Sequence, residues 1–307
     1  MKITVSGLVN VETTVSVRGF PIPYYPIDYP FFGVGSDVSG VGYNLAKALR
    51  TLGDEVSLIS YIGQDEEAGR ILRQLEADEI DCAHIRRTLR ATPVSVVLYD
   101  ESGRRQIYCD LKNVQDQQLP AGELDALLSD SDLIAACNIS FNRSLLERAK
   151  ALGKTLATDV HVLGNLEDEY NRAFLEAADI LFCSDEQIPC RPEDFLRQMR
   201  ARYPMRTAVI GMGAYGAMLY EREGDRIWHL PPARAQRVVN TVGAGDALFS
   251  AFLHYYGKGM EALPALERAQ IFAARKIAHS GASVGFSREE EVEEQWRGSE
   301  RTVNPIQ

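Results

Sequence analysis

The sequence predicts an α/β fold, a mostly parallel sheet layered between helices on both faces, with a small β-sheet lid beside it. Three observations carry that expectation. Strand-like and helix-like segments alternate from Glu55 to Leu75 and again from Asp132 to Gly211, as they do where crossover helices join parallel strands. Residues 11–37 and 91–110 read instead as strands and turns with no helix between them, which suits a separate small sheet. Neither a repeat, a low-complexity linker nor a second charge regime divides the chain, so residues 1–307 read as one domain whose lid is formed by about 11–37 and 91–110.

Ile3 to Val9 alternates as a first strand. Gly7-Leu8-Val9-Asn10-Val11-Glu12 then sets a turn and an acid at its C-terminal end, where open α/β sheets bind ligands. Val11, Thr13, Val15 and Val17 alternate with polar residues as a half-exposed strand. Phe20 to Phe32 carries too many prolines for a helix or a central strand and reads as an excursion. Its aromatics would either cover a sugar or stack on a base, or form a hydrophobic cluster or a homodimer contact. Ser39-Gly40-Val41-Gly42-Tyr43-Asn44 returns the chain to a helix with Leu45, Ala48, Leu49 and Leu52 on its apolar face and Gly53 after its end. Asn44 stands at the helix start, as a cap or as a ligand amide.

Glu55 to Ile62 is a strand, and Asp65-Glu66-Glu67 is the acidic first turn of a helix whose core face is Ala68, Ile71, Leu72 and Leu75. Pro93 to Tyr99 and Arg105 to Cys109 flank the turn Asp100-Glu101-Ser102-Gly103 as a hairpin. Strands follow at Leu133 to Cys137, Thr155 to Asp159, Ile180 to Cys183 and Thr207 to Gly211. Helices are expected from Asn142 to Leu152, near Asp168 to Ala177, and from Pro192, which has the favoured first helical position. Gly216 to Tyr220 and Arg226 to Leu230 form a second hairpin, helices run on to Ser280, and Ser287-Arg288-Glu289-Glu290 reads as a capping box before a last one.

Lys plus Arg total 33 against 43 Asp plus Glu, a net charge of −10, which argues against nucleic acid or an anionic membrane as the main partner. Five cysteines without metal-ligand spacing read as reduced thiols of a cytoplasmic protein, and no apolar run is long enough to span a bilayer. The N-terminal stretch lacks the apolar block of a signal peptide.

The most informative stretch is Asn240-Thr241-Val242-Gly243-Ala244-Gly245-Asp246. Behind it Ala247 to Tyr256 is apolar on nearly every side, a buried helix. Glycines opening such a helix leave backbone N–H groups uncovered at the end that attracts anions. A carboxylate at that point repels a phosphate unless a proton or a cation intervenes, and phosphoryl transfer supplies both. Asp246 is therefore the candidate base, and the helix N-terminus is expected to keep it ionised. The alternative is a tight loop whose Asp caps the helix.

With these pieces placed, the chain resembles the ribokinase-like, or PfkB, family of sugar and nucleoside kinases over nearly its whole length. Asn240 to Asp246 is similar to the family's C-terminal signature Asp-Thr-x-Gly-Ala-Gly-Asp. Ser39 to Gly53 is similar to its N-terminal one, Ala91-Thr92-Pro93 through Gly103-Arg104-Arg105 to its lid strands, and Gly281-Ala282 with the Ser287 helix to its C-terminus. The resemblance implies a ribokinase-like three-layer α/β/α fold and transfer of the ATP γ-phosphoryl group to a hydroxyl of a sugar or nucleoside, with Mg²⁺ and often a monovalent cation. It makes Asp246 the base and the N–H groups of Gly243, Ala244 and Gly245 its anion hole. It assigns Glu12, Gly40, Gly42 and Asn44 to the substrate, and Thr241, Gly211, Gly213, Gly216 and Ser184 to the nucleotide.

Departures from the family pattern are specific. Glu12 stands where relatives have an Asp, either as a longer sugar ligand or as a surface strand Glu. Gly211 replaces a more usual threonine, and Asn240 replaces the signature's first Asp, which in relatives lies near the monovalent cation. The Asn-x-x-Glu motif that orders magnesium waters is here Ser184-Asp185-Glu186-Gln187, leaving Asp185 and Glu186 as candidate metal residues. Asp159 matches an Asp near the phosphates in relatives, and His161 is a structural histidine or a ligand.

Overall fold

The computed structural model describes residues 1–120, 122–299 and 304–306. In chain order its strands and helices are β1 (Lys2–Ser6), β2 (Asn10–Ser16), β3 (Val34–Ser39), α1 (Val41–Thr51), β4 (Glu55–Tyr61), α2 (Glu66–Ala77), β5 (Ile85–Arg86), β6 (Val94–Tyr99), β7 (Arg105–Asp110) and α3 (Asp125–Asp130). These are followed by β8 (Leu133–Ala136), α4 (Arg143–Ala151), β9 (Thr155–Val162), α5 (Arg172–Ala177), β10 (Ile180–Ser184), α6 (Pro192–Arg202) and β11 (Thr207–Gly211). The chain closes with β12 (Ala217–Glu221), β13 (Arg226–Leu230), α7 (Ala244–Gly257), α8 (Ala262–Lys276), α9 (Glu289–Arg297) and β14 (Asn304–Ile306).

The main sheet runs β14-β13-β12-β11-β10-β9-β8-β1-β4-β5. From β5 to β11 neighbouring strands are parallel, and β12, β13 and β14 add an antiparallel edge. Side chains alternate between two cores, as a sheet covered on both faces requires. Ile3, Val5, Leu133, Ala135, Ile180 and Phe182 face the layer of α1, α2, α7, α8 and α9. Ile134, Ala136, Leu181 and Cys183 face that of α3, α4, α5 and α6. The predicted three-layer α/β/α class is what forms.

The predicted second sheet is also present, ordered β3-β2-β6-β7, with β2 and β6 parallel and both outer pairings antiparallel. The Phe20–Phe32 excursion carries its aromatics outward, with Tyr24 88% and Phe31 84% exposed. Among the described residues no helix is long and apolar enough to cross a membrane.

Two boundaries differ from expectation for local reasons. Asp168 spends its carboxylate on the backbone N–H and side-chain amide of Asn171, so α5 starts at Arg172 rather than near Asp168. The capping box is displaced by one residue: Arg275 Nε donates to the Ser287 hydroxyl at 2.6 Å, and Glu291 instead accepts from the Arg288 N–H at 2.8 Å, opening α9.

Candidate active site

The C-terminal ends of the parallel strands deliver one group of residues to one edge of the sheet. Beyond β1 the chain turns at Gly7 and passes so close to the start of α1 that a Cβ on Gly42 would lie 2.6 Å from the Gly7 carbonyl carbon. This glycine contact lowers the first turn of α1 onto the strand end, and Gly40 precedes it as the N-cap residue. It leaves Asn44 buried and turned toward α7. There the amide Nδ2 donates to Asp246 Oδ2 at 2.7 Å. Of the two readings for Asn44, the cap is not realised: its amide orients the carboxylate across 202 residues of sequence.

Asp246 lies in the first turn of α7, a helix buried nearly throughout as its composition implied. Gly243 is its N-cap residue with φ 76°, a left-handed backbone that a side chain would strain, and a Cβ there would meet the Ala282 carbonyl oxygen at 2.3 Å. Around it, the Ala244 N–H donates to the Thr241 carbonyl at 3.2 Å, while Gly245 is exposed. The expected anion hole of Gly243, Ala244 and Gly245 thus has its middle donor engaged in a turn. Thr241 Oγ1 accepts from Arg105 Nη1 at 3.2 Å, a bridge from the small sheet to the loop.

Burial of Asp246 raises its pKa above the ordinary 3.8, and the charge of Asp159 adds to the rise. His161, the Asn44 hydrogen bond and Lys276 oppose it. Desolvation thus shifts Asp246 toward its protonated form, opposite in sense to the pull of the helix end, and makes the carboxylate a stronger base. Asp159, His161 and Asp246 converge with ligand atoms all within 4.8 Å of one another. Two carboxylate oxygens suit a hard divalent ion such as Mg²⁺, which binds through few carboxylates and keeps sites for water and phosphate; the imidazole nitrogen suits it less. His161 Nδ1 lies 3.6 Å from Asp159 Oδ2, and its backbone N–H donates to Asp159 Oδ1 at 2.8 Å.

Glu12, on β2, is half-buried and so not the surface strand Glu of the alternative reading. Burial raises its pKa first and the charge of Asp246 second, while the Ser39 and Ser95 hydroxyls and Lys276 favour the charged form.

The profile of the pfkB family carbohydrate kinases matches residues 31–288 of this chain. The chain belongs to the PfkB family of carbohydrate kinases. It is 26% identical over 271 residues to fructosamine kinase FrlD of Bacillus subtilis (strain 168), covering 87% of this chain and 92% of that one. It is 23% identical over 317 residues to the deoxyribokinase of Salmonella typhi, covering 96% and 98%. A solved microbiome-derived acarbose kinase superposes with a TM-score of 0.85 at 23% identity over 95% of this chain and 97% of that one, a likeness of fold. The enzyme is thus a phosphotransferase with a hydroxyl acceptor, as the sequence implied.

In this PfkB kinase the other predicted positions lie at neighbouring strand ends. Ser184 and Gly211 are register partners at the ends of β10 and β11, and Gly213 and Gly216 flank the turn into β12. Ser184 Oγ accepts from the Glu186 N–H at 3.2 Å; Glu186 is exposed, Asp185 half-buried, and neither belongs to the Asp159, His161 and Asp246 grouping. Two site residues escaped sequence reasoning. Asn10 is buried and donates to Ser95 Oγ at 3.0 Å while its Oδ1 finds no partner among the described residues. Lys276 is fully buried, and its ammonium donates to the Val242 carbonyl inside the glycine loop. Asn10 stands between Gly7 and Glu12, in the turn whose sequence marks it as ligand-facing; a lysine ending a helix carries no comparable signal.

Proposed function

We propose that this carbohydrate kinase phosphorylates a hydroxyl of a sugar or sugar derivative, using ATP as donor and Asp246 as the base. The observation that carries the reading is the 2.7 Å bond from Asn44 to Asp246, which fixes a buried carboxylate of raised pKa beside an exposed helix N-terminus. Glu12, Asn10 and the Ser39 and Ser95 hydroxyls form a polar wall on the small-sheet side, suited to a polyhydroxylated acceptor. The unpartnered Asn10 Oδ1 is an acceptor awaiting a hydroxyl.

In the transfer, Asp246 Oδ takes the proton of the acceptor hydroxyl as its oxygen attacks the γ-phosphorus and the bond to the β-phosphate oxygen breaks. Asn44 keeps that oxygen aimed. The N–H groups at the start of α7 face the phosphoryl oxygens, with Gly245 the open donor, and Ser184, Gly211, Gly213 and Gly216 lie on the nucleotide side. Asp159, with His161 beside it, would hold Mg²⁺ next to the Asp246 base, and the ion when bound would neutralise charge on the transferred group. The four-stranded sheet acts as a lid, and the Arg105 to Thr241 bond is the contact through which its closure reaches the glycine loop.

A nucleoside acceptor is the second reading, favoured by the exposed Tyr24 and by Tyr29 and Phe31, whose rings stack at 6.2 Å. The test is ADP release from ATP and Mg²⁺ with separate pools of sugars, amino-sugar derivatives and nucleosides, beside an Asp246→Ala control. Release with a sugar pool and not in the control supports the proposal. Release with nucleosides alone moves the assignment to the second reading, and equal release in the control removes Asp246 from the chemistry.

A further inference from the structure

We infer that the Lys276 ammonium takes the place of a bound monovalent cation beneath the 240–246 loop, so that phosphoryl transfer here requires no such ion. The inference rests on the kinase reading of that loop. A monovalent cation there would need free oxygen donors, and two that the loop could offer are already engaged. Asn240 Oδ1 is engaged by the Val242 N–H at 2.7 Å. The remaining group of that amide, Nδ2, is buried without a partner among the described residues and presents positive, not negative, charge. The Val242 carbonyl is already bonded by Lys276 Nζ. The residues present do not fit the ion.

They do fit an ammonium. Lys276 is the last residue of α8, where the helix dipole favours a cation, and it has no solvent exposure. Its hydrogen bond goes to a carbonyl, and among the described residues no carboxylate forms an ion pair with it. Burying a charge on those terms is costly, so a purely structural role is poorly served by lysine. The compensation comes from two elements, Asp246 on α7 and Glu12 on β2, which stabilise the charge, while Arg105 on β7 opposes it. Burial is the largest influence and brings the lysine down to about 8, which still leaves it mostly protonated at neutral pH. A tethered cation thus sits where it ties the loop's carbonyl to α8 and offsets the two acidic groups of the site.

The test compares the full-length chain in potassium, ammonium and choline chloride at matched ionic strength. It follows turnover, ATP binding by calorimetry and melting temperature. Wild type is expected to differ less than about twofold in kcat/KM between potassium and choline, with no potassium-specific rise in melting temperature. Lys276→Met is expected to lose about tenfold or more in choline, on the scale of losing one anion-hole contact. Potassium or ammonium should restore part of that activity and raise the variant's melting temperature. Potassium activation of wild type by about tenfold, or potassium-specific thermal stabilisation of wild type, overturns the inference. So does a folded Lys276→Met whose response to the salts matches wild type. Should that variant not fold, the wild-type arms decide alone. If no acceptor is phosphorylated in any salt, the failure belongs to the kinase reading of the loop, and the melting and ATP-binding arms still judge the lysine.

Discussion

Replacing Asp246 by Asn separates chemistry from architecture at the centre of the site. The amide keeps the carboxylate's shape, and its Oδ1 can still accept from Asn44 Nδ2, the 2.7 Å bond that orients the residue. What disappears is the ability to take a proton. General-base catalysis of this kind contributes roughly 10²–10⁴-fold, so kcat should fall by that factor, about 3–5 kcal/mol of transition-state stabilisation. Stability should move the other way. Burial and the Asp159 charge raise the Asp246 pKa, so the ionised carboxylate destabilises the native state at neutral pH, and its neutral isostere should add about 0.5–2 kcal/mol. For a chain of this size that is a few degrees of melting temperature. As the pH falls through the raised pKa toward 3.8, wild-type protein takes up its proton in the folded state first. Wild type therefore gains stability relative to the variant, and the gap between them narrows. Coupled ADP release at saturating acceptor, with thermal melts at neutral and mildly acidic pH, reads both effects. A rate loss below about tenfold, or a large rate loss accompanied by a lower melting temperature, would refute the reasoning and make Asp246 a structural cap.

Gly243→Ala places a Cβ 2.3 Å from the Ala282 carbonyl oxygen at φ 76°, and should cost about 2–5 kcal/mol in melting experiments together with most of the activity; an unchanged melt would mean the loop is free to move. Glu12→Gln should raise the KM for the acceptor by about tenfold or more while leaving the KM for ATP alone, since a charged hydrogen-bond acceptor is lost on the small-sheet side only. Arg105→Ala removes the 3.2 Å bond to Thr241 from an exposed side chain. Stability should change by less than about 0.5 kcal/mol, with kcat/KM falling several-fold; unaltered kinetics would detach the small sheet from the glycine loop.

The layered fold was legible because its signals are local: strand periods, glycine after helices, and a helix apolar all round that had to lie inside. The same holds for Asp246, marked by the glycines before it. What escaped was set by convergence of distant segments. Lysine at a helix end is ordinarily a solvated cation, and only the packing of α8 beneath the glycine loop turns Lys276 inward. Asp159 and His161 are marked by the family resemblance alone; that they reach Asp246 depends on β9 lying near the centre of the sheet, an order of strands that no periodicity reveals. The upward shift of the Asp246 pKa is hidden for a related reason: its place at a helix start is written in the sequence, the desolvation around it is not. Ser287 failed as a cap because Arg275, twelve residues earlier, competes for its hydroxyl.

The bond between Asn44 and Asp246 also has a history within each molecule's synthesis. Its partners are 202 residues apart, and at about 5–20 residues per second roughly 10–40 s separate their emergence from the ribosome. During that interval β1, α1 and β4 can pair and pack, yet the buried face of α1 that receives α7 stays uncovered, apolar and open to wrong partners. The contacts that make the site must wait for α7, because the segment that closes that face also carries the base. Misassembled or nicked chains that fail to dock α7 would therefore be inactive as well as sticky, and enzymatic activity should serve as a direct count of completely folded molecules.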